Sequence, residues 1–358
     1  MKFKKSKPFT VGIELEVQIL DRESFELTPK SKVIFENIKN PNVQKEFLQS
    51  MVEFVTGVNE SPEEAVDELR ESVREVLELG DSENFFLSAS GTHPFADPSK
   101  IKIRVTENDR YLKLLEEFQE ILRNFLIYGL HIHVGFPDEE RALNAYNLYV
   151  KYSPLFLALS VSSPFFKGRN TGILSYRTKI FEQLPRAGIP EQFSSYSEFV
   201  ELYERLKEAG LVESLKDIWW DVRLRPDFGT VELRVCDSVS SFRRIEGLTA
   251  LAVILGELSL VKKIQVDFHQ IHLQNKWNAA RHGLKGKFVK REGTTTVGRE
   301  LHEIVKEYGK RFGRLKESAK VLLDLISLPT QAEYQIEEYR RTKDLKSVVK
   351  KSLVRMEE

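Results

Sequence analysis

Two glutamates stand two positions apart in Gly12-Ile13-Glu14-Leu15-Glu16-Val17, each flanked by apolar residues. Alternate side chains of an extended strand share a face, so Glu14 and Glu16 point one way while Ile13, Leu15 and Val17 point the other. Residues 129–135, Gly-Leu-His-Ile-His-Val-Gly, repeat the device with His131 and His133 opposite Leu130, Ile132 and Val134. Thr-Val-Glu-Leu-Arg-Val sets Glu232 and Arg234 against Val231, Leu233 and Val235, and Asp-Val-Arg-Leu-Arg sets Arg223 and Arg225 against Val222 and Leu224. Met-Val-Glu-Phe adds Glu53. Any one of these strands alone also fits a simple solvated face. Together they carry carboxylate, imidazole and guanidinium with no lysine among the polar-face positions, and solvated faces usually contain Lys, Thr and Ser.

Carboxylate oxygens suit hard cations such as magnesium, which shield phosphate charge, and arginine grips a phosphoryl group bidentately. If the strands are neighbours, that combination points to phosphoryl transfer. A zinc hydrolase would use Glu and His too, but the chain has neither an H-E-x-x-H pattern nor a cysteine-rich ligand set. It also lacks a P-loop and a kinase glycine-rich loop, so ATP would have to lie on a metal cradle built from the sheet. Ser90-Gly91-Thr92-His93-Pro94 reads either as a tight turn near that cradle or as a connector.

The elements that position these groups follow from the same alternation. Strands are expected at Thr10 to Leu20, Phe47 to Thr56, Phe85 to Ser90 and Gly129 to Phe136, with a hairpin from Ile218 to Arg225 and Gly229 to Cys236 across Pro226-Asp227-Phe228-Gly229. Ser61 caps a helix that starts at Pro62, buries Ala65, Val66, Leu69, Val73, Val76 and Leu77, and stops at Gly80. Apolar spacing predicts further helices from about Glu107 to Leu126, from Glu139 to Ser160 and from Ser241 to about Val266, and an almost wholly helical end after residue 295. Hairpin-like and helix-separated strands together make a mixed α+β sheet. No internal repeat or low-complexity linker divides the chain, so residues 1–358 read as a single catalytic domain.

Lys plus Arg and Asp plus Glu balance at 54 each, so no global field draws the chain to nucleic acid or anionic lipid. The basic N-terminus has no signal-peptide h-region and no run is long enough to span a bilayer, which sets the expectation of a soluble, cytoplasmic protein. The single cysteine, Cys236, excludes an internal disulfide and reads as a small apolar filler. Abundant Lys and Glu with few Cys and Met suit a heat-adapted protein.

PFTVGIELEV, QSMVEF, SGTHPF, ENDRY, YGLHIHVGF, LSVSSPFFKG, WWDVRLRPDFGTVELRVCD and NKWNAARHGLKG follow one another between Pro8 and Gly286. In that order they resemble the glutamate-cysteine ligase type 2, or carboxylate-amine ligase, family. The resemblance implies a fold like the catalytic domain of glutamine synthetase, also shared by guanidino kinases: an antiparallel sheet carrying the metals, with helices packed behind it. It implies ATP-dependent formation of a γ-glutamyl phosphate from glutamate or a similar acid, then attack by an amine such as that of cysteine. Two or more Mg2+ or Mn2+ ions are expected. By the same resemblance Glu14, Glu16, Glu53, His131 and Glu232 hold metal and His133 contacts ATP. Arg234 stabilises the transferred phosphoryl group and Arg223 holds substrate carboxylate or phosphate, with Arg225 either assisting or a surface charge. Asn278 and Arg281 lie in a matching helical segment with a substrate or a structural role, and Arg186 sits on a loop able to close over a ligand. A homodimer is expected from the family. The similarity fades after Lys287, and the helices from Ala332 onward depart from the family's usual ending. Two other classes fit the same residues: a guanidino-kinase-type phosphotransferase, giving a phosphorylated product and no amide, and a non-catalytic nucleotide or metal sensor.

Overall fold

The computed structural model describes residues 1–99, 105–106, 108–262, 265–311 and 315–356. The alternating segments form one sheet from β1 (Val11–Asp21), β2 (Val43–Lys45), β3 (Met51–Val55), β4 (Phe85–Ser88), β5 (Gly129–Gly135), β6 (Val222–Arg225) and β7 (Thr230–Asp237). Their order is β6-β7-β5-β1-β3-β2, with β4 beside the last residues of β1, and each pairing is antiparallel. Glu14 lies opposite His131, Glu16 opposite Glu53, and Glu232 opposite both His133 and Arg223. Residues paired across strands point to the same side, so the separate alternations superpose on one charged face.

The other face carries the core. Ile13, Leu15, Val17, Leu130, Ile132, Val134, Val222, Leu224, Val231 and Leu233 are buried there in one cluster with α1 (Pro62–Ser82), α3 (Glu139–Ser160) and α4 (Phe242–Leu258). Between α1 and α3 the chain forms α2 (Asp109–Arg123), and after α4 it forms α5 (His269–His282). Both α3 and α4 are buried nearly all round, which is what a continuous apolar helix requires. Antiparallel sheet and packed helices together match the expected α+β class. Cys236 is fully buried, as a small apolar filler would be.

Local differences from the sequence expectations have identifiable causes. The Ser61 hydroxyl accepts from Glu64 N at 3.2 Å, as the cap demands, but α1 runs past Gly80 to Ser82. A Cβ at Gly80 would sit 2.8 Å from the carbonyl oxygen of Phe85, so this glycine admits the backbone of β4 and does not end the helix. The helix expected to reach Val266 ends at Leu258, where Asn144 of α3 donates to the carbonyls of Ser259 and Lys262. The helix expected from Glu107 begins at Asp109, capped by Asn108, and breaks at Gln119, whose φ of 44° is outside the helical region; Glu107 itself lies outside the described residues. The third expected strand stops at Ser88, and the second begins only at Met51, after a turn in which Met51 N donates to Leu48 O.

After residue 295 the chain is helical at Val297–Arg311, Lys316–Ser327, Gln331–Thr342 and Leu345–Lys350. Its last residues return to the sheet. Ala89 N donates to Ser352 O and Val354 N to Leu87 O, while the buried Gln331 amide donates to Ala89 O. Among the described residues no helix is long and apolar enough to cross a membrane.

Candidate active site

The charged face floors a cavity of about 790 Å3 that runs along β1. Glu14, Glu16, Glu53, His131, His133, Arg223, Arg225 and Arg234 all line it. Glu232 lies beneath them, fully buried, so every strand residue expected in the site is brought together there.

At the centre, Glu14 bridges the two histidines: Oε2 lies 2.9 Å from His131 Nδ1 and Oε1 lies 3.1 Å from His133 Nε2. Burial pushes the Glu14 carboxyl up, and the hydrogen bonds from His131 and His133 outweigh that and hold it well below its ordinary value. An ionised Glu14 requires His131 Nδ1 to carry the proton. Burial, then the Arg234 charge, lowers His131 to about 4, so the ring is neutral and Nε2 presents a lone pair. That Nε2 is buried and has no hydrogen-bond partner. A histidine whose Nδ1 donates to a carboxylate and whose Nε2 is free has the form of a metal ligand with its orienting partner. Gly129 keeps the space beside it open, since a Cβ there would stand 3.1 Å from Nε2.

Two ligand groups converge on this ring. Glu14, His131 and Glu232 offer donor atoms within 4.8 Å of one another, and so do Glu16, Glu53 and His131. Burial and then the Glu46 charge raise Glu16 to about 7, although Arg177 and Arg234 pull against them. Burial and the charges of Glu14, Glu46 and Glu16 raise Glu53 well above its ordinary value. Carboxylates crowded against one another in this way fit divalent cations, and the oxygen-rich set with one imidazole suits Mg2+ or Mn2+. The residues present therefore fit the expected metals.

Glu232 is held differently. Arg223 grips it with Nε to Oε2 at 2.9 Å and Nη2 to Oε1 at 2.9 Å, Arg225 Nη1 reaches Oε2 at 3.2 Å, and Arg234 Nη1 donates to Oε1. Burial raises this carboxyl, but the Arg223 and Arg234 charges overcome it and keep Glu232 well below the usual range. Three guanidinium groups against Glu232 and Asp227, the latter paired with Arg225 Nη2 at 2.8 Å, leave one positive charge in excess beside the acidic cluster. The face thus has a cation-binding part and an anion-binding part in contact.

Three side chains absent from the sequence reading complete the picture. Glu46, between β2 and β3, lines the cavity near Tyr111, whose hydroxyl lies 3.4 Å from its Oε2. Arg177, which opens the short helix Arg177–Phe181, also lines the cavity and is buried, with its Nε unpartnered. Lys276 of α5 is 1% exposed and pairs with Asp221 Oδ2 at 2.5 Å and Glu182 Oε1 at 2.7 Å. Asp221 O in turn accepts from Arg234 N, so Lys276 ties α5 to the segments carrying Arg177 and Arg234. None of the three shows a periodic pattern, and the motif around Lys276 was the one available signal.

Other expected residues lie elsewhere. Asn278 donates to Lys287 O at 2.8 Å and Arg281 is exposed at the end of α5; neither lines the cavity, because α5 turns its Asn275, Lys276, Ala279 face inward. Arg186 is fixed behind the wall, donating to Asp217 O at 3.0 Å, with its guanidinium 5.2 Å from the Trp219 ring and 5.4 Å from that of Phe118. The 90–94 segment packs away from the cavity, with Gly91 pressed against the Asp237 carboxylate.

Residues 10–327 match the sequence model of glutamate-cysteine ligase family 2 (GCS2). The chain belongs to that family. It is 36% identical over 356 residues to a provisionally named glutamate–cysteine ligase 2 of Herpetosiphon aurantiacus, covering 96% of this chain and 91% of that one. A similarly named protein of Sorangium cellulosum is 37% identical over 357 residues, covering 95% and 94%. The fold resembles the glutamate–cysteine ligase of Francisella tularensis solved with AMP, at TM-score 0.68 and 15% identity over 98% of this chain and 89% of that one. It also resembles a bifunctional glutathione synthetase from Pasteurella multocida at TM-score 0.71 and 16% identity, where it covers 96% of this chain and 52% of that one. Membership in this family makes the chain an enzyme, a ligase of the glutamate–cysteine type.

Proposed function

We propose that the chain joins the side-chain carboxylate of glutamate, or of a closely similar acid, to an amine at the expense of ATP, through an acyl phosphate. The observation that carries this reading is the contact between two carboxylate–imidazole groups sharing His131 and a cluster of three arginines around Glu232. Glu14, Glu16, Glu53, His131 and Glu232 would hold Mg2+ or Mn2+, with Glu232 also accepting from the three arginines. Bound there, the metals would neutralise the phosphate charge that repels an attacking carboxylate. Arg234, with Arg177 beside it, takes up charge developing on the transferred phosphoryl oxygens. Arg223, which also donates to Leu215 O at 3.0 Å and Ile218 O at 2.8 Å, keeps Glu232 and hence the arginine cluster in place. His133, held by Thr230 Oγ1 at 3.0 Å, and Arg225, which packs 4.2 Å over the Phe228 ring, border the end of the cavity assigned here to the nucleotide.

In the first step an oxygen of the acid's carboxylate bonds to the γ-phosphorus as the bond to ADP breaks. In the second the amine nitrogen bonds to the acyl carbon, phosphate leaves with the C–O electron pair, and the amine gives up a proton. Phosphate release from ATP, Mg2+ and glutamate across a panel of amines tests this. Release must need both acid and amine; release indifferent to both, or a stable phosphorylated acceptor without amide, removes the reading. Residues 1–358 are taken as one catalytic domain because a single apolar cluster includes Phe3 and Val354. A cytoplasmic setting and a homodimer accompany the reading through the family, and nucleic acid and membrane are not expected as partners.

A further inference from the structure

The two ends of the cavity differ in chemistry. One, beyond Gly12, is bordered by Thr56, Gly57, Val58, Arg225, Phe228 and Thr230, a mainly polar rim on which Val58 and Phe228 are exposed. The other, beyond Glu16, is walled by Phe47, Leu114, Phe118, Phe125, Phe181 and Trp219, with Arg110, Tyr111 and Lys216 of the same segments also lining the cavity. Most of these belong to an apolar cluster separate from the core behind the sheet. Phe118, Phe125 and Phe181 line the cavity and keep 8–9% exposure, whereas Leu15 and Val17, which do not line it, have 0–1%. The cavity, at about 790 Å3, is in the upper part of the roughly 300–1,000 Å3 range of small-molecule sites and has room for a third reactant group.

We propose that this lobe receives the side chain of the amine acceptor and that the acceptor is a primary amine bearing an aromatic-sized apolar group, in place of cysteine. The inference rests on the ligase reading given above. A thiol on one methylene would leave most of the lobe wet, whereas an aromatic ring buries far more apolar surface against these walls. The nucleotide is drawn to the opposite end, whose rim is more polar and where Phe228, with Arg225 over its ring, is half exposed. Glu46, adjacent to Phe47 in sequence, stands between the lobe and the acidic floor and draws an ammonium group toward the acyl centre. There the ammonium loses one proton to solvent, the freed nitrogen lone pair forms the C–N bond, phosphate departs with the C–O pair, and the nitrogen releases a second proton.

The test uses the full chain with ATP, Mg2+ and glutamate. Hydroxylamine, which needs no lobe, traps the acyl phosphate as a hydroxamate and reports the ligase reading by itself; no hydroxamate overturns that reading and the inference with it. With hydroxamate formed, cysteine, alanine, phenylalanine and 2-phenylethylamine are compared by kcat/KM. One of the two aromatic amines should exceed cysteine at least about tenfold, since a single methylene in an apolar pocket is worth roughly that factor. Cysteine or alanine equal to or better than both overturns the proposal. Leu114→Trp, filling the lobe, should raise KM for the aromatic amine at least about tenfold relative to KM for hydroxylamine, and equal shifts in the two count against it. Leu114→Ala should move preference toward tryptamine, so a poorly folding Trp variant leaves the outcome decided.

Discussion

The two faces of the central sheet are made from the same strands and opposite materials. Leu15 and Glu16 are neighbours in β1, yet Leu15 lies in a core where each methylene stabilises the fold, and Glu16 lies among carboxylates that repel it. Burying apolar area contributes about 25 cal/mol per Å2, whereas buried charge costs free energy unless paired or metal-bound. The apolar face therefore explains why the sheet forms, and the charged face is retained against its cost in stability. This is what a site under functional demand looks like.

The sharpest break of that comparison crosses the two faces. Glu16→Gln should lower kcat about a thousandfold, about 4 kcal/mol in the barrier, with stability within about 1 kcal/mol of wild type. Leu15→Ala should do the reverse, costing about 2–5 kcal/mol of unfolding free energy while the folded fraction keeps its kcat. Steady-state kinetics and urea denaturation on both variants check this; a Glu16→Gln enzyme close to wild type in rate takes Glu16 out of the site.

Glu232 is the exception on the charged face, because its charge is compensated within the protein. Glu232→Gln strands the buried Arg223 charge and should cost about 3–5 kcal/mol by chemical denaturation, unlike Glu16→Gln. Equal stability in the two variants would erase the distinction between the acidic and basic parts of the face.

His93 sharpens the comparison from outside the cavity. Its Nε2 donates to Phe25 O at 2.9 Å and its Nδ1 accepts from Ala96 N at 2.9 Å, a pattern only the neutral ring satisfies. Burial lowers it to about 4 from 6.5. Because the folded value lies below the unfolded one, the stability it contributes is complete above about pH 6.5 and is lost as pH falls toward about 4. The loss is about 3 kcal/mol. Urea denaturation from pH 4 to 7 should show a steeper fall for wild type than for His93→Gln.

The smallest expected effect is metal binding itself. Mg2+ or Mn2+ at about 100 times its dissociation constant should stabilise the protein by about 2.7 kcal/mol, seen as a rise in Tm that Glu53→Gln reduces. No rise with either ion would leave the carboxylate crowding unexplained by cations.

Most of the charged face was legible in the sequence because period two is local: Glu14 and Glu16 declare their shared side without knowledge of any partner strand. Glu46, Arg177 and Lys276 were not legible, since each reaches its place through a loop, a single helical turn or a distant helix. The sequence around Lys276 offers Asn278 and Arg281 as site candidates, but a helix presents one face inward, and the spacing alone does not say which. Element ends failed for a similar reason. The stop at Leu258 is set by Asn144, more than a hundred positions earlier.

The pairing of β4 with residues 352–354 carries a consequence for biogenesis. Leu87 and Ala89 bond to Val354 and Ser352, so the edge beside β4 stays open until residues 352–354 have been made. An uncovered strand edge templates association with other chains. A nascent chain on the ribosome thus carries an exposed edge until a segment more than 250 positions further on has emerged, and residues 352–354 then seal it.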